Sequence, residues 1–280
     1  MARLSFSDHT RNFKDFIYVY PVVSRRSQGV SLGINLNINN ACNWRCVYCQ
    51  VDGLIRGKPD TIDLVKLEAE LDEMLSWIID GDFLSKHAPS GLQRFNDIAL
   101  SGNGESTLSK EFLKIVAIIA KLRKKYKIGT EVKTILITNG SEIDKSDIQD
   151  ALILMAQNNG EVWFKVDSCT ETGINQINQV SLSLEGVKQR LKLCCSLCNT
   201  YIQTCMFKFN NKLPSETEIN KYLNFVNEVK DDIKGVLLYS IARTPGLIEY
   251  RPLIEQLDES FLSQVASQIS NLGIMVKYYK

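Results

Sequence analysis

The sequence predicts an α/β fold: an open parallel sheet with outer helices, arranged as a partial barrel or as a doubly wound sheet. Three observations predict it. Strand-like and helix-like segments alternate, the pattern of repeated βα crossovers. Six such units are present, too few to close an eight-stranded barrel. The polar clusters fall at the C-terminal ends of the predicted strands, where such sheets bind ligands.

Residues 31–39, SLGINLNIN, alternate Leu32, Ile34, Leu36 and Ile38 with Gly33 and three asparagines, the period of a strand. Residues 61–80 follow with Leu64, Leu67, Leu71, Leu75 and Ile78 at helical spacing, and Asp60 or Thr61 as N-cap. Strand 97–101 precedes helix 110–126, strand 134–140 precedes helix 146–158, and strand 161–167 precedes helix 184–198. Strand 201–209 precedes a helix opened by Ser215 and Glu218, which form a capping box. Strand 235–243 precedes helix 260–273, closed by Gly273, and 274–279 is a last short strand. One domain over 1–280 is expected. It has an N-terminal extension at 1–30, six strand–helix units over 31–245, and a final helix and strand over 246–280.

The chain has 280 residues, 44% hydrophobic and 23% charged, with a net charge of +1. That charge does not support an RNA partner, and the basic run 121–127, KLRKKYK, reads as the solvated end of a helix. No apolar run has the length of a bilayer span and the N-terminus carries no signal-peptide core, so a cytoplasmic protein without a membrane partner is expected. Eight cysteines in such a chain point to reduced thiols that bind metal or pack.

Three of them, Cys42, Cys46 and Cys49, lie within NNACNWRCVYCQVDG directly after the first strand. Zinc would need a fourth ligand from far away, and the chain has only His9 and His87 as histidines. A [4Fe–4S] cube on three thiolates would leave one iron open to an exogenous ligand. The polar neighbours Asn43, Arg45 and Gln50 argue against a plain core loop. Cys194, Cys195, Cys198 and Cys205 raise the question of a second cluster, but a helix running into a strand wraps one poorly. Cys169 follows Asp167 at the end where ligands bind; it lines the turn there or donates hydrogen to a radical.

The spacing Cys42-x3-Cys46-x2-Cys49, with Tyr48 before the third cysteine, resembles the signature of the radical S-adenosylmethionine (SAM) superfamily. The resemblance spans roughly residues 20–245, and it implies a partial (β/α)6 barrel. It also implies a [4Fe–4S] cluster held by the three cysteines, and SAM chelating the fourth iron. Reductive cleavage of SAM then yields a 5′-deoxyadenosyl radical that abstracts hydrogen from substrate. SGNGES (101–106) resembles the family's Gly-Gly-Glu element. By that match Asn103, Gly104 and Glu105 meet the methionyl amine, although Asn103 replaces one glycine and Ser106 stands where many relatives carry proline. Lys165 and Asp167, on one face with Trp163, resemble the fourth-strand residues that meet the methionyl carboxylate and ribose; otherwise they are a salt-bridged pair inside the barrel. Asn139 is a further cofactor contact or a turn residue, and Asn35 and Asn37 line the lumen or an open edge. Tyr239 and Arg243, near the end of strand six, are candidate substrate contacts.

Residues 20–37, with CVYCQ and SGNGES, are most similar to the iron–sulfur branch that includes the wybutosine synthases, though no cysteine precedes Cys42 to hold a second cluster as in those enzymes. The resemblance implies a flavodoxin- or ferredoxin-like reductant as partner. It leaves the substrate open between an RNA base and a protein. The alternative function is a non-catalytic iron–sulfur binding or sensing module on the same fold.

Overall fold

The computed structural model describes residues 4, 11, 13–24 and 28–279. His9 and part of the 1–30 extension lie outside them. Eight strands form one sheet: β1 (Val19–Ser24), β2 (Gly29–Ile34), β3 (Phe95–Leu100), β4 (Lys133–Thr138), β5 (Gly160–Lys165), β6 (Asn199–Cys205), β7 (Gly235–Tyr239) and β8 (Val276–Tyr279). Each pairs with the next in chain order. β1 runs antiparallel to β2, and all later pairs are parallel.

The helices are α1 (Leu64–Ile79), α2 (Phe83–His87), α3 (Phe112–Lys125), α4 (Ser146–Gln157), α5 (Glu171–Asn178), α6 (Leu184–Leu197), α7 (Glu216–Glu228) and α8 (Glu259–Ser270). A doubly wound sheet reverses its strand order at a switch point. This sheet never reverses, so right-handed crossovers all step the same way and lay the helices on one face. The result is a curled half-barrel, as the partial-barrel expectation requires. Leu32, Ile34, Ile98, Leu136, Val162, Phe164 and Ile202 face the helices and pack with Leu67, Leu71, Ile115 and Leu152 in the main core. The alternate residues of the same strands face the lumen. No described helix is long and apolar enough to cross a membrane.

Several boundaries differ from the sequence expectation, each for a local reason. The first strand stops at Ile34. Asn35 then uses its side-chain oxygen to accept from the backbone N–H groups of Asn37 (3.1 Å) and Asn103 (2.9 Å), a competitor to ladder pairing. The N-cap of α1 is Asp63, which accepts from Lys66 N, and not Asp60 or Thr61. The fifth strand ends at Cys205 and the sixth at Tyr239, leaving the following residues as loops over the barrel mouth. The Ser215–Glu218 capping box forms as expected. Gly273 has φ +80°, two residues beyond the C-cap Asn271.

Three of these elements, β1, α2 and α5, have no counterpart in the periodicity. The segment entering β1 is held by Glu70 of α1, whose buried carboxylate accepts from the N–H groups of Ile17, Tyr18 and Val19 at 2.8–3.2 Å. The basic run at the end of α3 is tied down: Lys121 pairs with Glu68 and Lys125 with Asp72, while Arg123 is buried and donates to Gly129 O.

Candidate functional site

The cysteine loop leaves the sheet after β2. Its base is closed by a two-residue ladder between Ala41–Cys42 and Ile55–Arg56, which brings Gly57 N to Cys42 O at 3.1 Å. Its inner turn is pinned by distant elements. Val47 N donates to Ile177 O of α5 at 2.8 Å, and Gly246 N donates to Cys49 O at 2.7 Å. Arg45 forms an ion pair with Glu249. Cys42, Cys46 and Cys49 are all free thiols and line the same cavity of about 420 Å³ at the C-terminal ends of the strands.

Burial pushes the Cys42 thiol up to about 11 and that of Cys46 to about 12, and raises Cys49 as well. Backbone N–H groups around the loop and the Asn178 amide work in the opposite direction. The Asn178 Nδ2–Cys46 Sγ distance is 3.3 Å, a hydrogen bond of the kind that tunes a cluster sulfur.

SGNGES follows β3 and packs against the base of the loop. A Cβ on Gly104 would lie 2.2 Å from Ala41 O and 2.7 Å from Asn37 Nδ2, so only glycine fits. The close approach is thus to the cysteine loop's own backbone. Asn103 donates to Asn40 Oδ1 at 2.6 Å. Glu105 is buried, and its carboxylate accepts from Thr107 N and Oγ1, Thr138 Oγ1 and Asn139 N. It stitches the ends of β3 and β4 together while facing the cavity. Burial raises its pKa, against the pull of those donors. Asn139 is more than a turn residue: its amide donates to Asn43 Oδ1 of the cysteine loop at 2.9 Å.

Lys165 and Trp163 of β5 face the cavity, but the strand ends at Lys165 and Asp167 turns away from that wall. Its side chain is fully buried. Oδ2 accepts from the Tyr48 hydroxyl at 2.5 Å and Asn178 Nδ2 at 2.8 Å, Oδ1 accepts from Cys205 N at 3.0 Å, and Lys165 Nζ is 3.5 Å away. Lys165 also donates to the Tyr48 hydroxyl. Desolvation opposes the lysine's charge, yet Asp167 overrides it and raises the pKa. Asp167 therefore meets the site through Tyr48 and Lys165. Phe207 packs on the Tyr48 ring at a centroid distance of 5.5 Å. Tyr239 and Arg243 line the same cavity, and Arg243 O accepts from Gln50 of the cysteine loop. Asn35 and Asn37 are buried in the loop after β2, with Asn37 Nδ2 bonded to Ala41 O and Glu105 O.

Cys205 does not join Cys194, Cys195 and Cys198 in one site. Cys194, Cys195 and Cys198 sit at the end of α6, beside the start of β6, whereas Cys205 closes that strand. Seven extended residues separate the two ends by roughly 20 Å. His87 packs against Trp77 and Phe83 on the helical side, away from the thiols. Sequence reasoning missed Asn178 and Gln203. The only signal for α5 was Thr170, whose hydroxyl caps Gly173 N at 2.9 Å.

The donor set suits a cluster. Among the described residues no three His, Cys, Asp or Glu side chains converge as a single metal ion requires. Three thiols on one cavity wall can each take a different iron of a cube, and a metal-bound thiol gives up its proton whatever burial favours. Among the described residues, two buried polar atoms nearby, Asn37 Oδ1 and Gln203 Nε2, have no hydrogen-bond partner.

The family model for the radical SAM superfamily matches residues 36–217, and the chain belongs to that superfamily. Its cofactors are a [4Fe–4S] cluster and S-adenosylmethionine. The UPF0026 protein slr1464 of Synechocystis sp. is 25% identical over 228 residues, which cover 77% of this chain and 72% of that protein. The GTPase Obg of Brachyspira hyodysenteriae is 27% identical over 134 residues, 48% of this chain but only 17% of that much longer protein. Among solved structures, a radical SAM methyltransferase from Sphaerobacter thermophilus superposes with a TM-score of 0.63 at 10% identity, covering 94% of this chain and 69% of that one. TYW1 with a lysine–pyruvate adduct bound gives a TM-score of 0.54 at 14% identity, covering 86% of this chain and 73% of that one. At these identities the two structures share the fold.

Proposed function

We propose that this chain is a radical SAM enzyme whose single cluster is held by Cys42, Cys46 and Cys49 and which abstracts hydrogen from a substrate in the barrel lumen. The observation that carries the reading is the convergence of the three thiols, Glu105 and Lys165 on one cavity at the strand ends. Held by Cys42, Cys46 and Cys49, a reduced cluster would supply the one electron for cleavage of SAM to methionine and a 5′-deoxyadenosyl radical, which would take the hydrogen.

The chain's own residues do the holding. Glu105, with Asn103 and Gly104 beside it, supplies the negative wall that suits an ammonium group, and Lys165 supplies a positive one further round the sheet. Tyr48 is fixed by Asp167 and Phe207, so the third ligand Cys49 follows a rigid residue. Asn139 braces the loop through Asn43. Tyr239, at the end of β7, and Arg243, in the loop beyond it, line the cavity and are the candidate substrate contacts. A small one-electron donor protein of the flavodoxin or ferredoxin kind supplies the reductant. RNA bases and protein side chains both remain substrate classes for this reading.

The test is anaerobic reconstitution followed by chemical reduction with SAM present. The expected result is 5′-deoxyadenosine and methionine in equal amounts from the wild type, and none from C42A, C46A or C49A. Absence of cleavage by a wild-type protein with an intact, reduced cluster would overturn the reading in favour of a binding module.

A further inference from the structure

Arg11 is a cation of the cluster cavity that the contacts above leave without a task. It belongs to the segment ahead of β1, outside residues 36–217 that the family model matches, and it lines the cavity half-buried. Its guanidinium lies over the Tyr20 ring, 5.8 Å from the centroid. Tyr20 is itself fixed. Its hydroxyl donates to Ser101 O at 2.7 Å, and its ring fills the space a Cβ on Gly33 would need, 2.3 Å from Cζ. Stacking on this platform occupies the face of the guanidinium and leaves its in-plane N–H donors available. Among the described residues those donors meet no hydrogen-bond acceptor and no carboxylate. Lys165, by contrast, lies 3.5 Å from Asp167. A cation drawn partly out of water without a counter-charge costs free energy, and a site retains one where a ligand brings the anion.

Its place separates that anion from the cofactor. The proposed function gives the positive wall for SAM to Lys165 on β5. Arg11 precedes β1, the antiparallel edge strand, and β1 lies four strands from β5. That is roughly 19 Å along the sheet. The charge of the cavity says which anion. Glu105 and Asp97, both buried, line the same cavity, so a multiply charged ligand is repelled. A phosphate monoester carries about −1.5 to −2 charges, whereas a carboxylate carries one and fits a single guanidinium fork with two parallel N–H···O bonds. The surface offers no second argument for a phosphate chain, since Lys121 and Lys125 of the basic run are already paired with Glu68 and Asp72.

We infer that Arg11 is a substrate-binding residue that takes a carboxylate of the substrate. That the carboxylate belongs to a substrate rests on the proposed function; that the site takes an anion does not. The segment ahead of the barrel thereby supplies part of the specificity, on a wall that the six strand–helix units do not build.

The experiment uses the full chain, anaerobically loaded, with iron and sulfide content verified. Phenylglyoxal modifies arginines, and peptide mass spectrometry reads the rate at Arg11 and at Arg56, an exposed arginine on the outside of the cysteine loop. Sodium acetate, sodium chloride, inorganic phosphate and a short RNA oligonucleotide are compared at one ionic strength, and SAM is tested alone. Acetate at about 100 mM is expected to slow modification of Arg11 about threefold, as a weak bidentate ligand does, and to leave Arg56 unchanged. Chloride should protect neither. Equal protection by chloride, or equal slowing of Arg56, would overturn the site. Stronger protection by phosphate or RNA than by acetate would overturn the carboxylate. Protection by SAM alone would assign Arg11 to the cofactor and overturn its role with substrate. A protein that shows the acetate effect but does not cleave SAM would lose the proposed function and keep the anion site.

Discussion

Asp167 shows how a single side chain can matter to a site it does not face. All of its acceptor capacity is spent inside the protein, on Tyr48, Asn178, Lys165 and the Cys205 backbone. Replacing it by asparagine would set an amide N–H₂ against donors that need an acceptor, and would leave the Lys165 ammonium without its anionic partner. Breaking a buried charge pair in this way typically costs 3–5 kcal/mol, and with Lys165 partly open to the cavity about 3 kcal/mol is expected for D167N. Urea denaturation of the wild type and D167N checks the cost. A stability unchanged within experimental error would mean that the Tyr48–Lys165–Asp167 cluster is not the anchor described. The sequence made Lys165 and Asp167 look alike because alternation puts both on one strand face. The strand ends between them, and that break depends on contacts from α5 and β6 that no local pattern records. Asn178 was illegible for the same reason: it is a polar residue in a short polar helix, and its two partners are more than ten residues away in one case and more than a hundred in the other.

Among the elements, α1 carries a function that its apolar stripe hides. Leu67, Leu71, Leu75 and Ile78 form the buried face as expected, with Leu64 half-buried, and Met74 and Glu70 lie buried among them. Its carboxylate receives three consecutive backbone N–H groups at the start of β1, and so fixes the antiparallel strand that edges the barrel. E70A would strip those donors of their acceptor, at an expected cost of roughly 2–4 kcal/mol. Amide exchange should localise the loss to β1 while β4–β7 keep their protection; uniform loss across the sheet would contradict this. The strand–helix alternation itself was legible throughout, because each unit buries one clean apolar face. β1 was not, since Val19–Ser24 carries a proline and no neighbouring turn signal tells which strand it joins. The glycines of SGNGES were legible as a close approach, but what they approach, Ala41 O, lies on a different element.

For the molecule as a whole, the consecutive strand order settles what the sequence left open between a partial barrel and a doubly wound sheet. Both have the same local pattern, and only the direction of each crossover separates them. The thiols at the end of α6, away from the site, add a property of the entire fold. Burial raises Cys195 to about 11 and Cys198 to about 12, and Cys194 higher still, against an ordinary value of 9.0. Below pH 9 these groups are thiols in both folded and unfolded chains and do not affect the balance. Above it the unfolded chain ionises first, so stability falls as pH rises from 9 toward 12. The urea midpoint should therefore drop between pH 8 and pH 10. C194A should lower the midpoint at pH 8 by removing packed volume yet shrink the drop. An identical drop in C194A would assign the effect to other groups.

The anchoring of the cysteine loop has one more consequence, in time. Its inner turn hangs on Ile177 and Gly246, more than a hundred residues downstream, and its aromatic brace on Asp167 and Phe207. A nascent chain that has emerged only through the cysteines thus holds three thiols with nothing to set their spacing. Their arrangement becomes competent when the last parallel strands have docked. The spacing of the three thiols is thus a property of the completed barrel and not of the loop alone.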